Sequence, residues 1–170
     1  MVIMEHIDFI KKFPVRALLL AVSAISAGLL VAALIAQYGF GLHPCELCML
    51  QRYPYALIVA LGVTGVVFIK AERALRTIAW LCAVLFFADA AIAAYHAGVE
   101  MGLFPGPTAC SSAASQGETL EDMRRAIMNA PLVSCDQAMV HILGLSMAAW
   151  NAIAATLLAV GSIIYLRKTS

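Results

Sequence analysis

Four long apolar stretches, separated by shorter polar segments, dominate the pattern along this chain. They cover approximately residues 15–36, 54–69, 77–97 and 143–166. A helix crossing a bilayer needs about 20 apolar residues, within a range of roughly 17–25. The second stretch is too short by that measure. It reaches the required length only if its helix begins upstream, near Cys45, so the spans expected are about 15–36, 45–69, 77–97 and 143–166. The fold expected is an all-α integral membrane protein, one domain over residues 1–170 built as a four-helix transmembrane bundle. The first stretch does not read as a cleaved signal peptide. Its apolar run exceeds the roughly 7–15 residues of a signal core, and no clear small-residue cleavage site follows.

Composition strengthens this reading. The chain has 170 residues, 63% hydrophobic and 12% charged, where a soluble domain is roughly 45–50% apolar and about 25% charged. A soluble fold of this size cannot hide so much apolar surface, so a lipid bilayer is its natural solvent. The formal net charge of +1 says nothing about nucleic acid, but no basic cluster with interleaved aromatics appears, which sets that class of partner aside.

The distribution of charge sets an orientation. Lys11, Lys12 and Arg16 precede the first span, Lys70, Arg73 and Arg76 lie between the second and third, and Arg167 and Lys168 follow the fourth. The other two loops hold Arg52, Arg124 and Arg125. By the positive-inside rule both termini are cytoplasmic. The first loop (about 37–52) and the third (about 98–142) then face the opposite side. Cys45, Cys48, Cys110 and Cys135 all fall in those two loops, as expected for thiol chemistry in an oxidising compartment.

In the third loop, Pro105, Gly106 and Pro107 break any helix continuing from the third span. From about 119 to 129, Leu120, Met123 and Ile127 recur at helical spacing opposite Glu121, Asp122 and Arg125. That pattern predicts a short amphipathic helix. It can lie on the membrane surface or pack on the loop itself; the pattern leaves both open. Pro131 ends it.

The strongest chemical signal is Cys45-Glu46-Leu47-Cys48. Pro44 suits a helix start, which places the cysteines in the first turns, where the dipole favours a thiolate. A lowered pKa makes the sulfur a better leaving group. The same spacing is also half of a zinc site, which His43, Cys110 or Cys135 can complete, but an oxidising compartment favours disulfides and no metal is expected. Arg52 follows Cys48 by four residues, on the same helix face. It can stabilise a thiolate or hydrogen-bond a quinone oxygen, or it can merely snorkel to head groups.

Cys110 and Cys135 would close a loop of about 25 residues, a structural staple or a second station for electrons. In the third span Cys82, Asp89 and His96 are seven apart and form one stripe. Cys82 reads as an apolar filler. Asp89 is either a functional intramembrane acid or a structural one hydrogen-bonded to a partner such as Asn151. His96, at the level of the CxxC, can handle protons for a quinone or be a plain interfacial histidine. The competing classes are a membrane dithiol oxidase, a non-enzymatic membrane protein with two structural disulfides, and a zinc-binding membrane module.

The strings CELCMLQRYPY, YHAGVEMGLFPGPTAC and LGLSMAAWN resemble the DsbB family of disulfide-forming membrane oxidases, in order and over nearly the whole chain. The resemblance implies a bacterial inner-membrane enzyme with its active cysteines on the periplasmic side. Its substrate would be the dithiol of a periplasmic DsbA-type thiol oxidase, and its electron acceptor ubiquinone or menaquinone. Cys45 and Cys48 match the quinone-proximal pair, Cys110 and Cys135 the pair that meets DsbA. Arg52 matches the quinone-contacting arginine and His96 a histidine near the quinone. The mechanism implied is exchange in series. DsbA attacks Cys110, Cys135 attacks Cys45, and Cys48 is released to pass electron density to the quinone beside Arg52. Nothing is transferred to Asp89 or Cys82.

Overall fold

The computed structural model describes residues 14–107, 119, 121, 134–136, 138 and 140–169. Cys110 and the expected amphipathic helix at about 119–129 lie outside this set, apart from the isolated positions 119 and 121. The helices are α1 (Val15–Gly39), α2 (Glu46–Leu50), α3 (Arg52–Phe68), α4 (Glu72–Glu100) and α5 (Met147–Lys168). Helices α2 and α3 form one spanning unit, Glu46–Phe68, so among the described residues four helical units are long and apolar enough to cross a membrane. Only 22–39% of the residues in their most apolar windows are buried within the protein. The remainder, including Leu20, Val31, Leu57, Phe87 and Leu157, faces outward, which water would penalise and lipid does not. The chain is a multi-pass four-helix membrane bundle.

The break between α2 and α3 falls at Gln51. Pro54 brings no N–H for the carbonyl four residues earlier, and its ring crowds that carbonyl, so the helix re-forms rather than running straight through. Helix α4 packs most extensively on α5, and α1 on α3. Ala79, Ala83, Ala93 and Ala97 of α4 are buried, as are Ala148, Ala155, Ala159 and Ser162 of α5. Such small side chains let helix backbones approach, which is what holds helices together where lipid cancels the hydrophobic drive. At the α1–α3 crossing a Cβ on Gly62 would overlap Ser23 Oγ and press on the Leu19 carbonyl. Leu19, Val22, Tyr55, Ile58, Leu75, Cys82, Phe86 and Leu166 form the main apolar core.

One end of the bundle is closed by two arginines. Arg16 donates to the carbonyls of Val66 (3.2 Å) and Ile69 (2.7 Å) at the end of α3. Arg76 donates to those of Leu166 (2.9 Å) and Thr169 (2.6 Å) at the end of α5. The last carbonyls of a helix lack intrahelical partners and sit at the negative end of its dipole, so each cation caps a neighbouring helix.

At the opposite end, one sequence expectation holds and one shifts. Helix α4 stops before Pro105. Gly102 takes φ 72°, and the amides of Gly102 and Leu103 bond back to Val99 and Gly98, a glycine-terminated helix end. The fourth span begins later than residue 143. Strands β1 (His141–Ile142) and β2 (Leu145–Ser146) pair antiparallel, joined by Leu143 (φ 54°) and Gly144 (φ 81°), the positive-φ pair of a tight hairpin turn. Ser146 Oγ then accepts from the Ala149 amide at 3.1 Å and starts α5. Trp150 Nε1 donates to the Ile142 carbonyl at 2.9 Å, fastening the hairpin to the helix.

Candidate active site

The sulfur pair sits where α2 begins. Cys45 is the N-cap, in extended conformation, and its Sγ accepts from the Cys48 amide at 3.3 Å, so a sulfur takes the place usually held by a Ser or Asp oxygen. The two Sγ atoms are 3.1 Å apart, as two thiols in contact. Cys45 is buried and Cys48 half-buried. The hydrogen bond to Cys48, reinforced by burial, pushes the Cys45 thiol from 9.0 up to about 12, although the His96 ring and the Cys48 amide pull the other way. Position at the helix start therefore does not make Cys45 a thiolate, contrary to the expectation from the dipole alone. Cys45 holds the shared proton, and Cys48 is the sulfur that accepts it.

Cys135 reaches this pair from the far loop. It is 1% exposed and packs in one buried cluster with Cys45, Leu47 and Val99, with Cys48 against it. The structure thus brings together Cys45, Cys48 and Cys135 of the four loop cysteines.

His96 comes from α4. Its Nε2 lies 3.5 Å from Cys45 Sγ and 3.7 Å from Glu100 Oε1, and its Nδ1 lies 2.9 Å from Gln51 Nε2. The stripe of Cys82, Asp89 and His96 faces inward along its length, at 1%, 0% and 2% exposure. Asp89 meets Asn151 of α5, whose Nδ2 donates to Oδ2 at 3.1 Å. The ligand atoms of Cys45, Cys48 and His96 lie within 4.8 Å of one another. That is three donors where a closed structural zinc site takes four. Neither His43 nor Cys135 joins that group.

An apolar cavity of about 470 Å³ opens beside the pair. Leu29, Leu30 and Ala33 of α1 and Trp150 and Ala154 of α5 are among its apolar lining, and its polar wall includes Cys45, Cys48, Gln51, Arg52, His96, Glu100 and Asn151. Arg52 is steadied by Gln37 Oε1, which accepts from Nη1 at 2.6 Å. Spacing alone missed Gln37, Gln51 and Tyr55, whereas Asn151 was already one of the partners open to Asp89. The available signal was the isolated polar residue inside an apolar stretch, which in a membrane needs a partner.

Comparison with known proteins decides the family. The model for the disulfide bond formation protein DsbB matches residues 15–165. This chain belongs to the DsbB family. Its similarity extends to a disulfide bond formation protein B of Aromatoleum aromaticum, 29% identical over 164 residues, covering 92% of this chain and 95% of that one. A second, from Nitrosospira multiformis, is 34% identical over 99 residues, covering 54% of this chain and 59% of the other. An uncharacterised Rickettsia prowazekii protein is 29% identical over 153 residues, covering 89% and 87% respectively. As a DsbB-family protein, the chain is a disulfide-forming membrane oxidoreductase, and its redox-active cysteine cluster is the one described above.

Proposed function

We propose that this DsbB-family protein reoxidises the dithiol of a periplasmic DsbA-type protein and delivers the electrons to a membrane quinone, ubiquinone or menaquinone, in the bacterial inner membrane. Both termini are then cytoplasmic and the cysteine end periplasmic. The observation that carries the reading is the juxtaposition at the cavity wall. A half-buried Cys48 and a guanidinium face one apolar space, while Cys135 of the other loop packs on Cys45.

The exchange runs in series. A partner thiolate attacks Cys110 of a Cys110–Cys135 disulfide, and Cys135 leaves as a thiolate. Cys135 attacks Cys45 of the Cys45–Cys48 disulfide, and Cys48 leaves as a thiolate. The partner's second thiol resolves its mixed disulfide, and the freed Cys110 recloses on Cys135, releasing Cys45. The partner has gained a disulfide and Cys45–Cys48 has gained two electrons and two protons. A quinone in the cavity supplies the acceptor for both.

The residues present fit such a group. The walls are apolar enough for a ring and prenyl tail, and one Arg donor can meet a carbonyl oxygen with charge-assisted strength. Cys48, the sulfur that accepts the Cys45 hydrogen bond, faces that space, whereas Cys45 keeps the proton until the pair reoxidises.

The test is purified protein in detergent with ubiquinone and reduced DsbA-type partner, following quinone absorbance and partner thiols together. Stoichiometric loss of both is expected. Cys110→Ser is expected to abolish partner oxidation while Cys45–Cys48, reduced by a small dithiol, still reduces quinone. Partner oxidation at the wild-type rate in that variant would remove Cys110 as the entry point.

A further inference from the structure

The mechanism above does not use Asp89, a fully buried acid in the middle of α4. It is the far end of a continuous chain of side-chain hydrogen bonds that crosses three spanning units and ends at the sulfur pair. Tyr55 Oη donates to Asn151 Oδ1 at 2.6 Å. Asn151 Nδ2 donates to Asp89 Oδ2 at 3.1 Å and to Gln51 Oε1 at 2.8 Å. Gln51 Nε2 meets His96 Nδ1 at 2.9 Å, and His96 Nε2 faces Cys45 Sγ at 3.5 Å.

The chain has a direction. An amide nitrogen only donates and an amide oxygen only accepts. Asp89 offers an acceptor and Tyr55 a donor, so Asn151 must point its Nδ2 at Asp89. The same Nδ2 holds Gln51 by its oxygen, which turns Gln51 Nε2 toward the imidazole. His96 Nδ1 is then an acceptor, and the proton of the neutral ring sits on Nε2, facing Cys45. Reversing Asn151 sets acceptor against acceptor at Asp89 and Gln51, and reversing Gln51 sets donor against donor at Asn151, in an interior where an unmet polar group costs most. The two amides also rule out a proton wire, since neither gives up and regains a proton under ordinary conditions.

We infer that Asp89 is a positioning residue for the thiol chemistry: through Asn151 and Gln51 it fixes His96 as the Nε2–H tautomer, which donates to the Cys45 sulfur when negative charge appears there. This deepens the proposed function and rests on Cys45–Cys48 being the redox pair. Asp89 does not line the cavity, so its loss is expected to act on turnover and not on quinone affinity.

The experiment uses the full chain, labelled with ¹⁵N-histidine and reduced, in detergent micelles. Two-bond ¹⁵N–¹H correlation in mildly alkaline buffer reads the tautomer, with the His96 signal assigned by its loss in His96→Gln. Wild type is expected to show a protonated Nε2 and a bare Nδ1; a protonated Nδ1 overturns the inference without any variant. In Asp89→Leu the tautomers mix, and kcat for quinone reduction falls about three- to tenfold, the worth of one hydrogen bond, while KM for quinone stays within about twofold. Asp89→Asn keeps an acceptor oxygen and restores both readouts. Either readout unmoved in Asp89→Leu sinks the inference. If that variant does not fold, Gln51→Met removes the donor to Nδ1 directly, and an unmixed tautomer there has the same force. The tautomer is read without quinone or partner, so a wild type that fails to reduce quinone defeats the proposed function and leaves this result standing.

Discussion

The two ends of the bundle solve the same problem differently. Every polar group inside a membrane needs a partner. At the arginine end the partners are backbone: Arg16 and Arg76 satisfy the last carbonyls of α3 and α5. Between them, Cys82 packs among Leu19, Leu75 and Phe86. At the sulfur end the partners are side chains, each bonding to the next from Asp89 to Cys45, and a cavity opens beside them. Backbone partners make a closed, structural end. Side-chain partners make an end whose hydrogen bonds can be retuned by one substitution.

The largest contrast is in thiol reactivity at the sulfur end itself. Cys45 stands at about 12 against an ordinary 9.0, with the hydrogen bond to Cys48 as the leading cause. A raised pKa leaves less thiolate at any given pH. Site-resolved iodoacetamide labelling of the reduced protein is therefore expected to leave Cys45 almost untouched at pH 9, with labelling rising only as the pH approaches 12. Cys48→Ala removes the leading cause and is expected to speed Cys45 labelling at pH 9. His96→Leu removes a lowering contact and is expected to slow it. The raised value also links pH to stability. The reduced fold's gain from a protonated Cys45 is full below pH 9 and is lost as pH rises toward 12. Fast Cys45 labelling in wild type at neutral pH would show that the two thiols do not share a proton as described.

Arg52 sharpens the comparison next, because it is an arginine whose partner is a side chain, Gln37. Arg52→Lys keeps the charge but loses the planar fork that can hold Gln37 and a second acceptor at once. Losing one charge-assisted hydrogen bond costs about 1.5–3 kcal/mol, so KM for quinone is expected to rise roughly ten- to a hundredfold, with single-turnover oxidation of the partner nearly unchanged. An unchanged KM removes Arg52 from the site; equal damage to both steps points to misfolding.

Arg16→Met is the counterpart at the closed end. It is expected to destabilise the detergent-solubilised protein by about 3 kcal/mol, the low end for two lost charge-assisted bonds, and to leave KM for quinone and turnover of folded protein as in wild type. A melting curve beside the quinone assay checks both. If turnover falls while the melting temperature holds, the two ends are coupled and the division drawn above fails.

How much of this was legible beforehand depends on the kind of signal. Length and apolarity located the four spans, since lipid demands both. The heptad spacing of Cys82, Asp89 and His96 put the three on one inward stripe, and the Asp89–Asn151 contact was already one of two readings of that acid. The CxxC marked the sulfur pair. Residues 143–146 were absorbed into the fourth span because Leu143, Gly144 and Leu145 are apolar. The hairpin is set instead by positive φ at Leu143 and Gly144, which apolarity does not report. Gln51 and Gln37 carried too little pattern, being single polar residues whose meaning depends on what another helix places opposite them. The position of Cys135 against Cys45 follows from a loop path that local periodicity does not encode.

The smallest effect expected is at Cys82, and it closes the comparison. Cys82 is as buried as Cys45, at 1% and 6% exposure, and it lies two helical repeats below His96 on the same stripe. Its surroundings are apolar side chains rather than a thiol and an imidazole. A buried thiol without an electropositive neighbour or a second cysteine is inert and acts as a small hydrophobe. Cys82→Ala deletes one sulfur from a packed core, which is expected to cost about 1 kcal/mol through the small void left behind and to leave turnover within about twofold of wild type. The measurement is a melting curve set beside the coupled quinone and partner assay. Loss of turnover in protein that still melts cooperatively would mean that Cys82 exchanges electrons with the pair, and the closed end would then have to be read as part of the site.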